Sequence, residues 1–546
     1  MRWFFLAIFL VAAAPPPEVS TEGMVASDHA LASAAGAQIL EQGGNAVDAV
    51  IAAALAAGVV QPAGSGLGGG GFAVVVDEQG HSFSLDFREI APAKAHRDLF
   101  VQNDDPNASR TGALAVAVPG ESKGLIELHR KFGSLPLEQI AKPAIVLAEE
   151  GFAVGHQLHS ALQKVDSGKT VARDLFGLSE IPNRNAVVYR PRLAKTLRDW
   201  AKTDGKVLTK GWVAKDIVRT IKSANGLVTH KDLKTNQPRE RVVLTGTYRG
   251  WKIYTMGPPS SGGLVLLQSL SVLEGWDLAA LEHNTAELLH LYGEVLQHAF
   301  ADRANFMGDP DRVDIPIQKL LAKDRISEIR SLYSANKTLP AERYGTRIDI
   351  GDDGGTQHIS VIDANGMAVS LTTTINTLFG SKVIAPKSGI VLNNEMDDFV
   401  ARPGEPNSFG LIGAESNSIA AGAVPLSSMT PTILVSQDGK TKIAIGASGG
   451  PFIISSTLQA IVNIIDFKMN PSAAVSVPRI HHQWVPRKLF CDQGISKDTR
   501  LLLGQKGHDV NVFPFYSSVQ VVVLDQQGYS GASDPRKGGW PVGFSK

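Results

Sequence analysis

The sequence predicts a layered α/β architecture, with sheets in the middle and helices outside. From residue 356 onward the pattern is rich in short strands, at 356 to 373, 389 to 393, 431 to 436, 441 to 446 and 519 to 525. Residues 123 to 231, 284 to 304 and 318 to 332 carry helical periodicity instead. No internal repeat occurs at a period of roughly 20 to 50 residues, which excludes solenoids and propellers. Strand pairs flanked by helical blocks pack as layers around shared sheets.

The elements follow in order. Met1-Arg2 precedes the apolar run Trp3 to Ala14, which reads as a secretory signal peptide (1–14) and is too short to span a bilayer. Pro15-Pro16-Pro17 is then an extended leader. A helix is expected over 28 to 42, with Ser27 or Asp28 as cap and Leu31, Ala35, Ile39 and Leu40 as its stripe. Gly43-Gly44 ends it. Asn45 caps a second helix, apolar nearly all round and therefore buried, through about Ala57. The run Gly64 to Gly71 precedes a strand (Phe72 to Val76) and not a helix. It also lacks a Gly-Lys-Ser/Thr, so it reads as close backbone packing and not as a phosphate cradle. Ser82 to Phe87 returns along that strand. Further strands are expected at 240 to 247 and 252 to 255. Pro258 to Gly263 is a rigid turn into an apolar helix, and a last long helix is expected over 454 to 466.

Composition removes several function classes. Lys plus Arg and Asp plus Glu number 53 each, so no long-range field favours nucleic acid or an anionic membrane surface. The single cysteine, Cys491, permits neither an intramolecular disulfide nor a cysteine metal site, and reads as a small buried hydrophobe. A signal peptide without disulfides suits an exported bacterial enzyme, periplasmic or secreted.

Chemistry concentrates at Asp353-Gly354-Gly355-Thr356. A hydroxyl residue that opens a strand after a glycine pair fits a self-cleaving N-terminal nucleophile. Breaking the Gly355–Thr356 bond would give Thr356 a free α-amine to act as base for its own hydroxyl. Thr356, His358, Ser360 and Ile362 fall on one strand face, and Asn365-Gly366 is a two-residue hairpin turn into a return strand, Met367 to Thr373. Past that strand, Thr374 and Asn376 share a face. Arg88, at a strand end, is able to grip a carboxylate or to pair with Glu89 or Asp86. Glu395 and Asp398 suit an ammonium group. The loop pattern of a calcium site is not matched there. Ser427 and Ser428 offer two hydroxyls in a proline-bounded turn, and Gly449-Gly450 offer backbone N–H groups at a strand-to-helix turn, as an oxyanion hole would.

The runs Gln38 to Ala49, Gly68 to Phe72, Phe87 to Pro92, Pro258 to Gly263 and Pro425 to Met429 together resemble gamma-glutamyltranspeptidase, the glutathione hydrolase family of the Ntn-hydrolase superfamily. The likeness runs from Met24-Val25-Ala26 to Asp534 to Gly539. It implies a four-layer αββα sandwich made jointly by a large subunit (15–355) and a small subunit (356–546) that are cut from one precursor and stay together as a heterodimer. It implies that Thr356 is the nucleophile, that Thr374 supports it, and that Gly449 and Gly450 form the oxyanion hole. Arg88, Ser427 and Ser428 would bind the α-carboxylate of a γ-glutamyl group, and Asn376, Glu395 and Asp398 its α-amine. It implies no metal and no organic cofactor in catalysis, no membrane span in the mature chain, glutathione and other γ-glutamyl compounds as donors, and amino acids or dipeptides as acceptors.

The chain departs from the family pattern at four places. Gln357 stands where many bacterial members have a second threonine, and Glu395 where some have glutamine. Phe409, in the stretch 400 to 424, sits where some place a lid tyrosine. Glu121 replaces a usually smaller residue. Two other readings compete. One is a glutaryl or cephalosporin-type acylase of the same family, against which the pair Glu395 and Asp398 argues because it would repel a glutaryl carboxylate. The other is an exported amino-acid-binding protein without turnover, which leaves the Gly-Gly-Thr junction unexplained.

Overall fold

The computed structural model describes residues 14–340, 343–344, 355–401, 408, 415–515 and 517–545. The leader reading falls almost wholly on residues 1–13, and the lid reading at Phe409 falls on the stretch 409–414, so both lie outside the described residues.

Fourteen strands form two central sheets. In chain order they are β1 Glu18–Ser20, β2 Gly23–Ser27, β3 Gly70–Val76, β4 Ser82–Asp86, β5 Arg239–Arg241, β6 Leu244–Tyr248, β7 Trp251–Thr255, β8 Gln357–Ile362, β9 Ala368–Thr374, β10 Thr432–Val435, β11 Lys442–Ser448, β12 Ser518–Asp525, β13 Gly528–Ser533 and β14 Val542–Phe544. One sheet runs β1-β13-β12-β11-β10-β7-β6 and the other β14-β2-β8-β9-β3-β4-β5. Their inner faces meet through cross-sheet hydrogen bonds. Ser370 Oγ donates to the Ile445 carbonyl at 3.0 Å, and Ser360 Oγ donates to the Gln520 carbonyl at 3.2 Å.

Helices cover both outer faces, which completes the expected αββα layering. Helices α1 Ala30–Glu41, α2 Ala46–Val60 and α3 Leu137–Glu150 share one apolar core with the outward residues Ile359, Val361 and Leu371. Helices α4 Gly262–Leu273, α5 Ala286–Phe306 and α6 Phe452–Ile465 share the other core with Ile433, Ile443 and Val521. Asn45 caps α2 as expected, in a full capping box with Asp48. Alternation along β8 therefore separates an apolar helix-facing side from a polar inter-sheet side, on which His358, Ser360, Ser370 and Thr372 interact with one another. His358 fits between the sheets because Gly446 opposite has no side chain. A Cβ there would come within 2.2 Å of the ring.

Three local expectations are corrected. The cap of α1 is His29, whose ring accepts from the Leu31 N–H. Ser27 is engaged with Ser33, and Asp28 accepts from the His358 N–H and from Gln520, which leaves neither to cap. The β8–β9 connection is wider than a two-residue turn. Asp363 donates its N–H to the Met367 carbonyl, and its carboxylate accepts from the N–H groups of Asn365 and Met367, with Gly366 at φ 82°. Residues 389–393 form only an isolated bridge, Ile384 to Val391. The chain turns at Gly389 (φ 71°), and the side chain of Asn393 is bound to Gly68 and Ala117.

Candidate active site

Thr356 stands at the head of β8, almost fully buried. Its hydroxyl donates to the carbonyl of Gly355 at 2.6 Å. Thr374 Oγ1 donates to the same carbonyl at 2.8 Å and lies 3.2 Å from Thr356 Oγ1. Hairpin register makes this contact, since Gln357 pairs with Thr373 and so brings the next residue beside Thr356. The Gly355 carbonyl is thereby polarised by two hydroxyls, one of them on the residue that follows it in the chain.

The glycine run supplies the space for this geometry. A Cβ on Gly69 would sit 1.9 Å from the Thr374 carbonyl, and one on Gly70 would sit 2.6 Å from both Glu89 Oε2 and the Phe87 carbonyl. These glycines let three backbone segments converge, which is the packing role expected for them.

That convergence brings Arg88 to the pocket floor. Its guanidinium contacts Glu395, meets Asp398 Oδ2 at 2.5 Å and lies 3.8 Å from Glu89. Burial alone would pull the Arg88 pKa down, and the carboxylates of Glu395, Asp398 and Glu89 more than reverse it. Burial raises the carboxyls of Glu395 and Asp398 well above the usual range, and it lifts Glu89 to about 8. Three carboxyl groups thus share one guanidinium. Among the described residues neither Glu395 oxygen has a well-aligned hydrogen-bond donor, and its close cationic neighbour is the Arg88 guanidinium. Asn376, at φ 78°, borders the same pocket and donates to the Asn394 carbonyl at 3.0 Å.

Opposite lies the turn Leu426-Ser427-Ser428-Met429. The Pro258 to Gly263 motif clamps it from below. Ser261 bonds the Ser427 carbonyl through its N–H (2.8 Å) and its Oγ (2.6 Å), and Ser260 Oγ reaches the Met429 carbonyl. One pocket therefore gathers nine of the ten residues read from the sequence as catalytic or substrate-binding. Gly449 is the exception. Both glycines of the strand-to-helix turn have positive φ (122° and 57°), and Gly449 packs so closely on Ser517 that a Cβ would meet its Cα at 2.7 Å. Gly450 borders the pocket, and Gly449 lies one residue behind it.

A second, wider cleft of about 230 Å³ also reaches Thr356. Lys164, Arg536 and Lys537 give it a basic lining, and Lys537 Nζ donates to the Thr356 carbonyl at 3.2 Å. Away from both clefts, His290, Glu294 and His508 place one ligand-type atom each within 4.8 Å of one another. There His290 Nδ1 and His508 Nε2 are 2.7 Å apart, a hydrogen bond. Two nitrogens on one tetrahedral zinc would stand about 3.3 Å apart.

The gamma-glutamyltranspeptidase family model matches residues 32–544. The chain belongs to the gamma-glutamyltranspeptidase family. It is 38% identical to a glutathione hydrolase proenzyme of Escherichia coli (strain K12), over 97% of this chain and 95% of that one. It is 37% identical to glutathione hydrolase 2 of Arabidopsis thaliana, over 96% and 94%. Among solved structures it resembles cephalosporin acylase from Bacillus halodurans, with a TM-score of 0.86, 25% identity and full coverage of both chains. It also resembles Helicobacter pylori gamma-glutamyltranspeptidase, with a TM-score of 0.55 and 35% identity over 60% of this chain and 94% of that chain. The gamma-glutamyltranspeptidase chain described here is accordingly an enzyme with the Ntn-hydrolase fold.

Two neighbours of the site were not foreseen from sequence. The sequence marks Lys537 only as part of a matching run. Arg303 sits inside a helix as Ala301-Asp302-Arg303, and nothing in its spacing shows which way it points. Glu121 was noted without a role. Its Oε2 accepts from Thr373 Oγ1 at 2.5 Å, on the far side of β9 from Thr374, and burial raises its carboxyl to about 8.

Proposed function

We propose that this chain is the proenzyme of a γ-glutamyltransferase and glutathione hydrolase. The observation that carries the reading is the pair of hydroxyls of Thr356 and Thr374 on the Gly355 carbonyl. In self-cleavage, Thr356 Oγ1 attacks the Gly355 carbonyl carbon while Thr374 donates to the developing oxyanion. The C–N bond breaks, the nitrogen takes a proton and becomes the free α-amine of Thr356, and water hydrolyses the resulting ester. The products are a large subunit ending at Gly355 and a small subunit starting at Thr356, which act together as a heterodimer.

In turnover, the Thr356 amine takes the hydroxyl proton as Oγ1 attacks a γ-amide carbonyl, and it returns the proton to the departing amine. Gly449 and Gly450 N–H groups hold the oxyanion. The γ-glutamyl ester passes to water or to an amino acid or dipeptide. Ser427, Ser428 and Arg88 take the α-carboxylate, and Asn376, Glu395 and Asp398 take the α-amine. The crowding of three carboxyls on Arg88 supports this, because a ligand ammonium supplies a second positive charge for them to share. The basic wider cleft suits the remainder of the donor, which in glutathione ends in a carboxylate. The apolar leader supports export to a periplasm or the medium. No described helix is long and apolar enough to cross a membrane.

Mass spectrometry of the purified protein tests the reading: a fragment beginning at Thr356 is expected, and Thr356→Ala is expected to give one uncleaved chain. Two fragments from that variant would remove Thr356 as nucleophile. The structural likeness to cephalosporin acylase keeps one alternative in play. Preference for γ-glutamyl over glutaryl anilide separates the two.

A further inference from the structure

We propose that Arg303 is a positioning residue for the α-carboxylate of the donor, a second cation placed behind the Ser427–Ser428 turn. The inference rests on the γ-glutamyl reading of the pocket. Arg303 is on the last turn of α5 and is 4% exposed. Its Nε donates to Ser261 Oγ at 2.8 Å, and one terminal nitrogen reaches Ser428 Oγ at 3.5 Å. Ser261 Oγ in turn donates to the Ser427 carbonyl at 2.6 Å. One guanidinium is thus joined to both serines of the turn.

A buried arginine ordinarily has a carboxylate against it. Arg303 has none within ion-pair distance among the described residues, whereas the adjacent Asp302 is taken up by Arg325 and Gln268. The charge of Asp398, beyond ion-pair distance, opposes the effect of burial on Arg303. Burial lowers the Arg303 pKa only to about 10, so it stays charged at neutral pH. An uncompensated buried cation is costly unless an anion arrives, and the side of Ser428 that borders the pocket is where a donor carboxylate would arrive.

Geometry assigns the roles. The serine hydroxyls contact the carboxylate. Arg303 donates to Ser428 Oγ from behind, which leaves the serine hydrogen to point at the ligand and raises its donor strength. Arg303 itself touches no reacting atom. Helix α5 precedes the cleavage site and Ser428 follows it, so the subsite draws on both sides of the cut.

The test compares kcat/KM on γ-glutamyl 4-nitroanilide and on 4-aminobutanoyl 4-nitroanilide, which lacks only the α-carboxylate. In Arg303→Gln the ratio of the two is expected to fall about tenfold, through KM of the γ-glutamyl anilide, with kcat near wild type. Arg303→Lys keeps the charge without the fork and is expected to fall about threefold. Glutaryl anilide, which keeps a carboxylate in that place, is expected to lose as much as the γ-glutamyl anilide. If Arg303→Gln yields no folded, self-cleaved protein, Arg303→Lys carries the measurement. An unchanged ratio in the variant that folds, or equal loss on both anilides, overturns the role. A wild-type protein that cleaves itself but does not turn over γ-glutamyl anilide would instead overturn the γ-glutamyl reading.

Discussion

The hydroxyls of Thr356 and Thr374 lie 3.2 Å apart and donate to one carbonyl, that of Gly355. In the proposed self-cleavage, the shared acceptor makes Thr374 a donor to the developing oxyanion as well as a neighbour. Thr374→Ala should slow appearance of the two subunits by about 10²-fold, the usual loss for one oxyanion donor. Thr374→Ser, which keeps the hydroxyl, should cleave within about tenfold of wild type. A gel time course on freshly synthesised chain measures both, and equal rates for the alanine and serine variants would refute the assignment.

Arg88 pairs with three carboxyl groups, those of Glu395, Asp398 and Glu89. Arg88→Met should cost about 3 to 5 kcal/mol of stability at neutral pH, as for any broken buried pair. The loss should grow at pH 9, above the value of about 8 to which burial lifts Glu89, because a carboxyl that ionises there needs the counter-charge that Arg88 supplied. Denaturant unfolding at the two pH values checks it.

Glu121 gives a second pH signature. Its carboxyl is raised from 4.5 to about 8 by burial, so the folded state holds a proton that the unfolded chain releases. Between those values the folded state binds more protons, and stability falls as pH rises, by about 1.4 kcal/mol for each unit crossed. Glu121→Gln does not titrate and should gain on wild type steadily across the window, with a constant difference below pH 4.5 and above about pH 8. Melting curves at pH 5 and pH 8.5 should therefore diverge, and parallel curves would count against a buried neutral carboxyl.

Gly446→Ala would drive a methyl to 2.2 Å from the His358 ring, which is fully buried between the sheets. A loss of about 3 kcal/mol is expected from overpacking. Combined with His358→Ala the loss should be much less than additive, because the removed ring makes the room. A double-mutant cycle in denaturant reads the coupling.

Much of this was legible in the sequence because it is local. The four-glycine run, the cap at Asn45 and the alternation through Thr356 to Ile362 are each set by neighbours in the chain, and each forms as expected. The runs around Arg88, Glu395, Asp398, Ser427 and Ser428 each admit an ordinary structural reading, and it is their combination in one chain that points to a site. Long-range contacts were not legible. Arg88 reads as a strand-end arginine next to Glu89, yet its close partners are Glu395 and Asp398, some three hundred residues away. The same holds for the cap of α1, which falls to His29 while long-range contacts to His358 and Gln520 occupy Asp28. Arg303 and Lys537 reach the site across layers, where periodicity carries no information.

Strands β8 and β9 lie between β2 and β3, and β10 to β13 lie between β1 and β7. A cut before Thr356 would therefore leave each sheet woven from both products, with no seam along which they part. Separating them means unfolding both, and mixing the separated halves asks for many long-range strand pairings without a covalent tether to hold them near. The uncut chain is in this sense its own assembly jig, used once: synthesis as one polypeptide sets the weave, and the reaction that switches the enzyme on discards the link that set it. Two genes encoding 15–355 and 356–546 separately should give little active enzyme even though every residue of the site is present.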